Sequence, residues 1–317
     1  MSARTASETN RGRGARAFVG CVLLLLFLTP SALFAGQKDE KELAGARTSR
    51  RSKPVLPFTA GEASAGAHPL APLLKYAREG SEYIASEIRD YSCLLILRER
   101  FDGKLGPYEH IRLKVRQEQK EGDHVVVPFG VYLKFLGPAK VKGREVLYVR
   151  GEDQNTMTVR RGGRRYPSMT LTLDPTGPLA TEGRRYPLTD VGVKNLVDKL
   201  IGVMENDIKY DECQVSVFRN AKLNERVCTH IRAIHPVRRP YFTYHRAHVF
   251  IDNELSLPVY YASYDWPAKP GGEPVLLEEY AYSELKPNIG LTDVDFQRTN
   301  PSYGFLNSSD QTADRRR

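Results

Sequence analysis

The sequence has 317 residues, 41% of them hydrophobic and 27% charged, which excludes disorder over the bulk of the chain, collagen and a polytopic membrane protein. Its net charge of +9 sits mostly at the ends: four arginines against one acid in residues 1–35, six bases against four acids in 36–66, three arginines against one acid in 311–317. Residues 67–310 are close to neutral, so no nucleic-acid partner is expected, since that needs positive charge on one face of the folded domain.

Arg11, Arg13 and Arg16 precede the apolar run Ala17–Leu28, which ends at Thr29, Pro30 and Ser31 ahead of the small residue Ala35. A basic start, a short apolar core and a small-residue cut predict a secretory signal peptide over 1–35, although Leu33 stands where a small residue is preferred. The uncharged stretch 17–35 also fits an uncleaved anchor, close to the roughly 20 residues that span a bilayer. Either reading puts the rest of the chain outside the cytoplasm, in the periplasm or cell envelope of a bacterium. Residues 36–66 are rich in Lys, Glu, Arg, Ala, Ser and Gly without apolar period, and predict a disordered linker.

From Leu70 the apolar residues Leu73, Leu74, Ala77, Ile84, Ile88 and Tyr91 recur at helical spacing, with a break expected at Gly80. After Tyr91 the period becomes two. Strands are predicted from Leu94 to Arg100, across Ile111, Leu113 and Val115, across Val131, Leu133 and Phe135, and over Glu145–Val149. Asp102-Gly103 marks a tight hairpin turn. Residues 151–188 read as loop-rich, with a short strand around Met169–Leu173. A second helix carries Val193, Leu196, Val197, Leu200, Ile201 and Met204 on one face, with Thr189 or Asp190 as its cap. Strands return at Gln214–Phe218, Val227–Ile234, Arg246–Ile251, Val259–Tyr264 and Val275–Tyr282. The whole predicts one α+β domain over 67–306 and a disordered basic tail over 307–317. About ten antiparallel strands need a covered apolar face, and a sheet that long curls.

Outside the leader stand Cys93, Cys213 and Cys228. An odd number allows at most one bridge within a monomer. Cys213 and Cys228 flank a hairpin and form the candidate disulfide, although strand parity does not set them opposite each other. The other reading is two small buried hydrophobes.

Phosphate loops, zinc-protease, Cys-x-x-Cys and Gly-x-Ser-x-Gly motifs are absent from the sequence. Gly162-Gly163 lies among Arg160, Arg161, Arg164 and Arg165. It reads either as an exposed flexible turn or as a site for an anionic lipid headgroup. His230 and His235, and His245 and His248, stand at odd spacings that place strand side chains on opposite faces, as do Glu278 and Glu279. Neither histidine pair chelates locally, so no metal or other cofactor is expected, and no catalytic residues are assigned. An apolar guest needs no such motif. At roughly 0.8 kcal/mol per buried CH₂, a sixteen-carbon chain offers a gross gain of roughly 12 kcal/mol, against the roughly 8 kcal/mol that micromolar affinity requires.

Two stretches carry a resemblance. Phe250-Ile-Asp-Asn-Glu-Leu-Ser-Leu-Pro258 runs into a strand, and Glu279-Tyr-Ala-Tyr-Ser-Glu-Leu-Lys-Pro-Asn-Ile-Gly-Leu-Thr-Asp-Val-Asp-Phe296 is a strand leading into an Asn-x-Gly-Leu turn. Both resemble the later half of LolA-like periplasmic lipoprotein carriers. Over about 83–305 the chain is also similar to an uncharacterised family of exported bacterial proteins, domain-of-unknown-function family 1571. That similarity rests on Lys134-Phe-Leu-Gly-Pro-Ala-Lys-Val-Lys-Gly-Arg-Glu-Val-Leu-Tyr148, the Leu-Pro258 and Tyr-Asp-Trp-Pro267 runs, and Asn300-Pro-Ser-Tyr-Gly-Phe305. The carrier resemblance implies an incomplete antiparallel barrel, apolar on its concave face, lidded by helices and without catalytic activity. The larger 151–188 segment and the three cysteines depart from it.

The sequence therefore predicts an exported, non-enzymatic protein that holds a lipid or lipoprotein acyl chain. Candidate lining residues are Leu113, Val115, Leu133, Phe135, Val249, Ile251 and Tyr261, which would otherwise form a solid core beneath the helices. Two other readings stay open. One is a structural or interaction module of the cell envelope with an envelope protein as partner. The other is a hydrolase whose site is assembled from distant strands around His248 and Asp265.

Overall fold

The computed structural model describes residues 51–56, 68–164 and 169–305. The leader predicted over 1–35 and the tail over 307–317 lie outside the described residues. In chain order the elements are α1 (Ala71–Glu87), β1 (Asp90–Phe101), β2 (Lys104–Leu105), β3 (Glu109–Arg116), β4 (Gln119–Glu121), β5 (His124–Val127), β6 (Gly130–Gly137), β7 (Glu145–Val149), β8 (Met157–Arg160) and β9 (Thr170–Leu173). Then come α2 (Pro178–Thr181), α3 (Val193–Asp207), β10 (Gln214–Leu223), β11 (Arg226–Ile234), β12 (Arg246–Asp252), β13 (Leu257–Asp265) and β14 (Val275–Pro287).

Among the described residues, a 12-stranded antiparallel sheet runs in the order β10-β11-β12-β13-β14-β1-β3-β6-β7-β8-β9, with β2 beside β1. Its two ends do not pair with each other, so the barrel is open. Irregular rungs interrupt the β1–β14, β3–β6, β10–β11, β12–β13 and β13–β14 ladders, and such extra residues bend a strand and deepen its twist. The curled, helix-covered sheet is the architecture predicted from the strand pattern.

Alternation decides which face each side chain takes. Tyr91, Cys93, Leu95 and Leu97 of β1, Ile111, Leu113 and Val115 of β3, and Val131, Leu133 and Phe135 of β6 point to the concave side and are buried. There they join Leu73, Tyr83 and Ile84 of α1 and Val193, Leu196 and Val197 of α3 in one core. On the convex side a second cluster forms where Phe296, Tyr303 and Phe305 of the last segment cover Tyr132, Leu147 and Val149. The Tyr132 and Tyr303 rings stack with centroids 3.8 Å apart, and Lys114 donates to Asp295 Oδ1 at 2.7 Å. The hairpin turn falls at Asp102-Gly103 as predicted, both residues having positive φ (48° and 71°).

Several expectations are corrected. Helix α1 runs unbroken through Gly80 and stops at Glu87, so Tyr91 belongs to β1. Leu188–Asp190 form a separate turn. The first helical N–H of α3, on Val193, donates instead to the Tyr91 hydroxyl at 3.0 Å. Residues 151–188 supply β8 as well as β9. Within the predicted linker, residues 51–56 pack on the domain: Leu56 is buried in the core and the Arg51 amide donates to Glu87 Oε1 at 2.8 Å.

Cys213 and Cys228 are free and buried, as is Cys93. Cys213 precedes the Gln214↔Ile234 rung, whereas Cys228 sits on the Ala221↔Cys228 rung at the other end of the hairpin. At about 3.3 Å per residue they stand roughly 20 Å apart, against the roughly 7 Å limit between Cα atoms for a bridge.

Candidate functional site

The concave face is not filled. Between α1, α3 and strands β11–β13 lies a cavity of about 310 Å³. A larger one of about 460 Å³ lies between α3, the 184–192 segment and strands β1, β3 and β6–β9. Leu73, Ile84, Val197, Met204 and Ile231 wall the first, and Leu95, Leu97, Ile111, Val159 and Leu196 wall the second. Leu200, Val203, Tyr186 and Tyr261 line both, so the two spaces adjoin across one turn of α3. Gly80, inside α1, borders the smaller space, and a Cβ built on it would meet no atom within 4 Å. Glycine inside a helix costs about 1 kcal/mol against alanine, and here the missing side chain leaves volume empty.

Each space has a carboxylate on its border, Glu278 on the smaller and Glu99 on the larger. Glu99 of β1 and Glu278 of β14 are cross-strand partners, and the same rung continues to Ser263. Glu278 is buried. It accepts from Arg185 Nε at 3.1 Å, the Tyr186 hydroxyl at 3.2 Å, the Tyr261 hydroxyl at 3.3 Å and the Ser263 hydroxyl at 3.0 Å. Glu99 accepts from the Tyr280 hydroxyl, with Arg184 at 4.0 Å. Burial raises the Glu99 carboxyl above its ordinary value, against the opposing effect of the Tyr280 hydrogen bond and of Arg184. Arg184 also pairs with Glu109 at 2.7 Å. The arginines of the 184–192 segment are thereby held down onto carboxylates of the sheet. Nothing local in the sequence brings Glu99 and Glu278 together, because their meeting depends on the β1–β14 register.

The sequence-predicted lining residues divide into four groups. Leu133 and Phe135 line the larger cavity, Val249 and Ile251 the smaller, and Tyr261 both. Leu113 and Val115 border neither. They are 1% and 0% exposed at the end of the sheet where Tyr91 and the start of α3 close over them. A Cβ on Gly192 would lie 3.9 Å from Val115 Cγ1.

His248 and Asp265 are not brought together. His248 faces the convex side, with its Nδ1 2.9 Å from Nε2 of His230. Burial, then the charge of neighbouring His230, lowers its pKa to about 4. Asp265 holds Arg238 at 3.3 Å. The His230–His248 contact crosses from β11 to β12, so spacing within one strand gave no sign of it. Burial pushes the Cys213 thiol up to about 12, which disfavours a thiolate nucleophile. Among the described residues, no group of three or more His, Cys, Asp and Glu side chains is placed to hold a metal ion.

Gly162-Gly163 is a packed contact rather than an exposed turn. A Cβ on Gly162 would fall 2.2 Å from the Arg144 amide nitrogen, and one on Gly163 2.4 Å from the Lys140 carbonyl oxygen. The glycines let the backbone after β8 press against the backbone entering β7.

Residues 88–305 match the model of a family described as protein of unknown function (DUF1571). No curated protein matches the sequence. Solved structures similar to the chain include a DUF1329 family protein from Desulfovibrio piger ATCC 29098, at 14% identity and TM-score 0.35, covering 71% of this chain and 98% of that one. A putative outer membrane lipoprotein-sorting protein domain from Vibrio parahaemolyticus matches at 12% identity and TM-score 0.34, covering 71% and 96%. A LolA superfamily protein from Nitrosomonas europaea matches at 10% identity and TM-score 0.28, covering 71% and 97%.

Proposed function

This chain belongs to the DUF1571 family, and on that footing we propose that it is an exported, non-enzymatic protein that holds the acyl chain of a lipid or lipoprotein between its curled sheet and its helices. The observation that carries the reading is the pair of adjoining apolar cavities, about 310 and 460 Å³, sharing Leu200, Val203, Tyr186 and Tyr261. Each is within the roughly 300–1,000 Å³ of ordinary ligand pockets. A packed core has few voids larger than a water molecule, and a monomer stabilised only by its interior gains by closing such spaces.

The lining has the chemistry of a guest-holding site rather than a reacting one. Its walls are aliphatic and aromatic. In its buried carboxylate pair, Glu278 accepts from Arg185, Tyr186, Tyr261 and Ser263 and, at 3.5 Å, from Tyr280, while Glu99 accepts from Tyr280 through one oxygen and keeps the other, Oε2, buried without a hydrogen-bond partner among the described residues. Arg184 and Arg185 hold the 184–192 segment over the two cavities through these carboxylates, so a guest enters by loosening that segment or by parting α3 from the sheet.

The test is organic extraction of the protein isolated from its native envelope, followed by mass spectrometry. Acyl lipid in near-stoichiometric amount supports the reading, and a clean extract contradicts it.

A further inference from the structure

The larger cavity has a charged rim that its apolar walls do not explain. Arg144, Arg161, Arg184 and Lys199 border it, against the acids Glu99 and Asp190. Lys199 is matched by Asp190 at 2.9 Å, and Arg184 by Glu109 at 2.7 Å. Arg144 and Arg161 have no ion pair among the described residues. They are also forced together. Glu145 pairs with Arg160 across β7 and β8, so Arg144 and Arg161 occupy the next rung outward. The Gly162 contact with the Arg144 amide presses the two backbones closer than a side chain at position 162 would allow.

Like charges directly opposite on neighbouring strands repel. Burial, then the positive charge of Arg184, and in lesser measure that of Arg161, pull the Arg144 guanidinium below its ordinary value, against the attraction of Glu109. The Arg144 and Arg184 guanidinium carbons stand 5.4 and 5.7 Å from the centroid of the Phe135 ring. Phe135 is a wall of the cavity, so the positive cluster and the apolar space meet at one residue. A carboxylate or phosphate seated between Arg144 and Arg161 relieves the repulsion through charge-assisted, forked hydrogen bonds.

We propose that Arg144 and Arg161, backed by Arg184, bind the anionic head of an amphiphile whose tail occupies the larger cavity. This rests on the acyl-binding reading and adds the chemical class of the ligand: an acid or phosphate ester carrying an alkyl chain, not a neutral lipid.

The full chain is titrated with dodecanoate, with dodecanol and with inorganic phosphate. Dodecanoate is expected to bind about tenfold tighter than dodecanol, the worth of one charge-assisted hydrogen bond, and inorganic phosphate far more weakly than dodecanoate. In the double variant Arg144→Gln, Arg161→Gln the ratio of the two alkyl affinities is expected to fall to near one. Added salt is expected to shrink the same ratio in the unaltered chain, which checks the point without a substitution. Equal affinity for dodecanoate and dodecanol in the unaltered chain overturns the headgroup site and leaves the apolar reading standing. Binding of neither overturns both. Phosphate binding as tightly as dodecanoate makes the arginines a free-anion site and overturns the amphiphile.

Discussion

Glu99 and Glu278 face each other across the β1–β14 ladder, one bordering each cavity, and they differ in how they are held. Glu278 accepts from Arg185, Tyr186, Tyr261 and Ser263 at 3.0–3.3 Å, and from the Tyr280 hydroxyl at 3.5 Å. Glu99 has the Tyr280 hydroxyl and a more distant arginine, and burial holds its carboxyl above the ordinary 4.5.

The two carboxylates predict opposite responses to amidation. A carboxyl whose folded pKa is raised binds its proton more tightly in the folded state. Its contribution to stability is therefore fully present below 4.5 and is lost as pH rises through the higher folded value. Glu99→Gln is expected to flatten the decline in stability on going from pH 4.5 to 8, measured by urea unfolding at a series of pH values. Glu278→Gln is expected to cost about 1.5–3 kcal/mol at pH 7, the worth of hydrogen bonds to a charged group. A pH profile unchanged by Glu99→Gln would show that its proton does not differ between folded and unfolded states.

Tyr91 reaches from β1 to the first N–H of α3 across 102 residues of chain. The amide it accepts from is on Val193, which is fully buried. Tyr91→Phe keeps the ring and leaves that donor without a partner, so a loss of about 1–3 kcal/mol is expected. Thermal unfolding measures it, and hydrogen exchange at the start of α3 should accelerate with it.

Gly80 tests whether space is kept at the expense of stability. Gly80→Ala meets no atom within 4 Å, so it should stabilise α1 by roughly 0.5–1 kcal/mol. The added methyl protrudes toward the smaller cavity and should weaken binding of an alkyl guest there. A stability gain without any loss of affinity would place the guest wholly in the larger cavity.

Much of the fold was legible because one face of each long strand is apolar and the other polar. Glu145–Val149 was found to the residue, and β12 to within one. The hairpin β4–β5 was missed because Val125 and Val126 are adjacent and both exposed, so no alternation marks it. The short β8 was hidden between turns. The cap of α3 was assigned to Thr189 or Asp190 from local chemistry, whereas its partner is remote in sequence.

The site was half legible for a related reason. Leu113 and Leu133 are neighbours on one rung with the same inward direction, yet Leu133 borders empty space and Leu113 is core. What separates them is the entry of α3 overhead, placed by contacts far along the chain. Alternation reports which way a side chain points, and not whether anything stands opposite it. Arg161 stood among the arginines beside Gly162-Gly163 that offered an anionic-headgroup reading, but Arg144 was hidden, because its juxtaposition with Arg161 comes from a strand pair and a glycine contact.

The most direct measurement is a titration of the full chain with a fluorescent long-chain fatty acid, beside the variant Val203→Trp. Val203 lines both cavities, so an indole there fills the space where they adjoin. The unaltered chain is expected to bind with micromolar or better affinity, about 8 kcal/mol or more, and the variant, still folding cooperatively, at least about tenfold more weakly. No binding by the unaltered chain, or equal binding by a folded variant, would contradict a guest held beneath the helices.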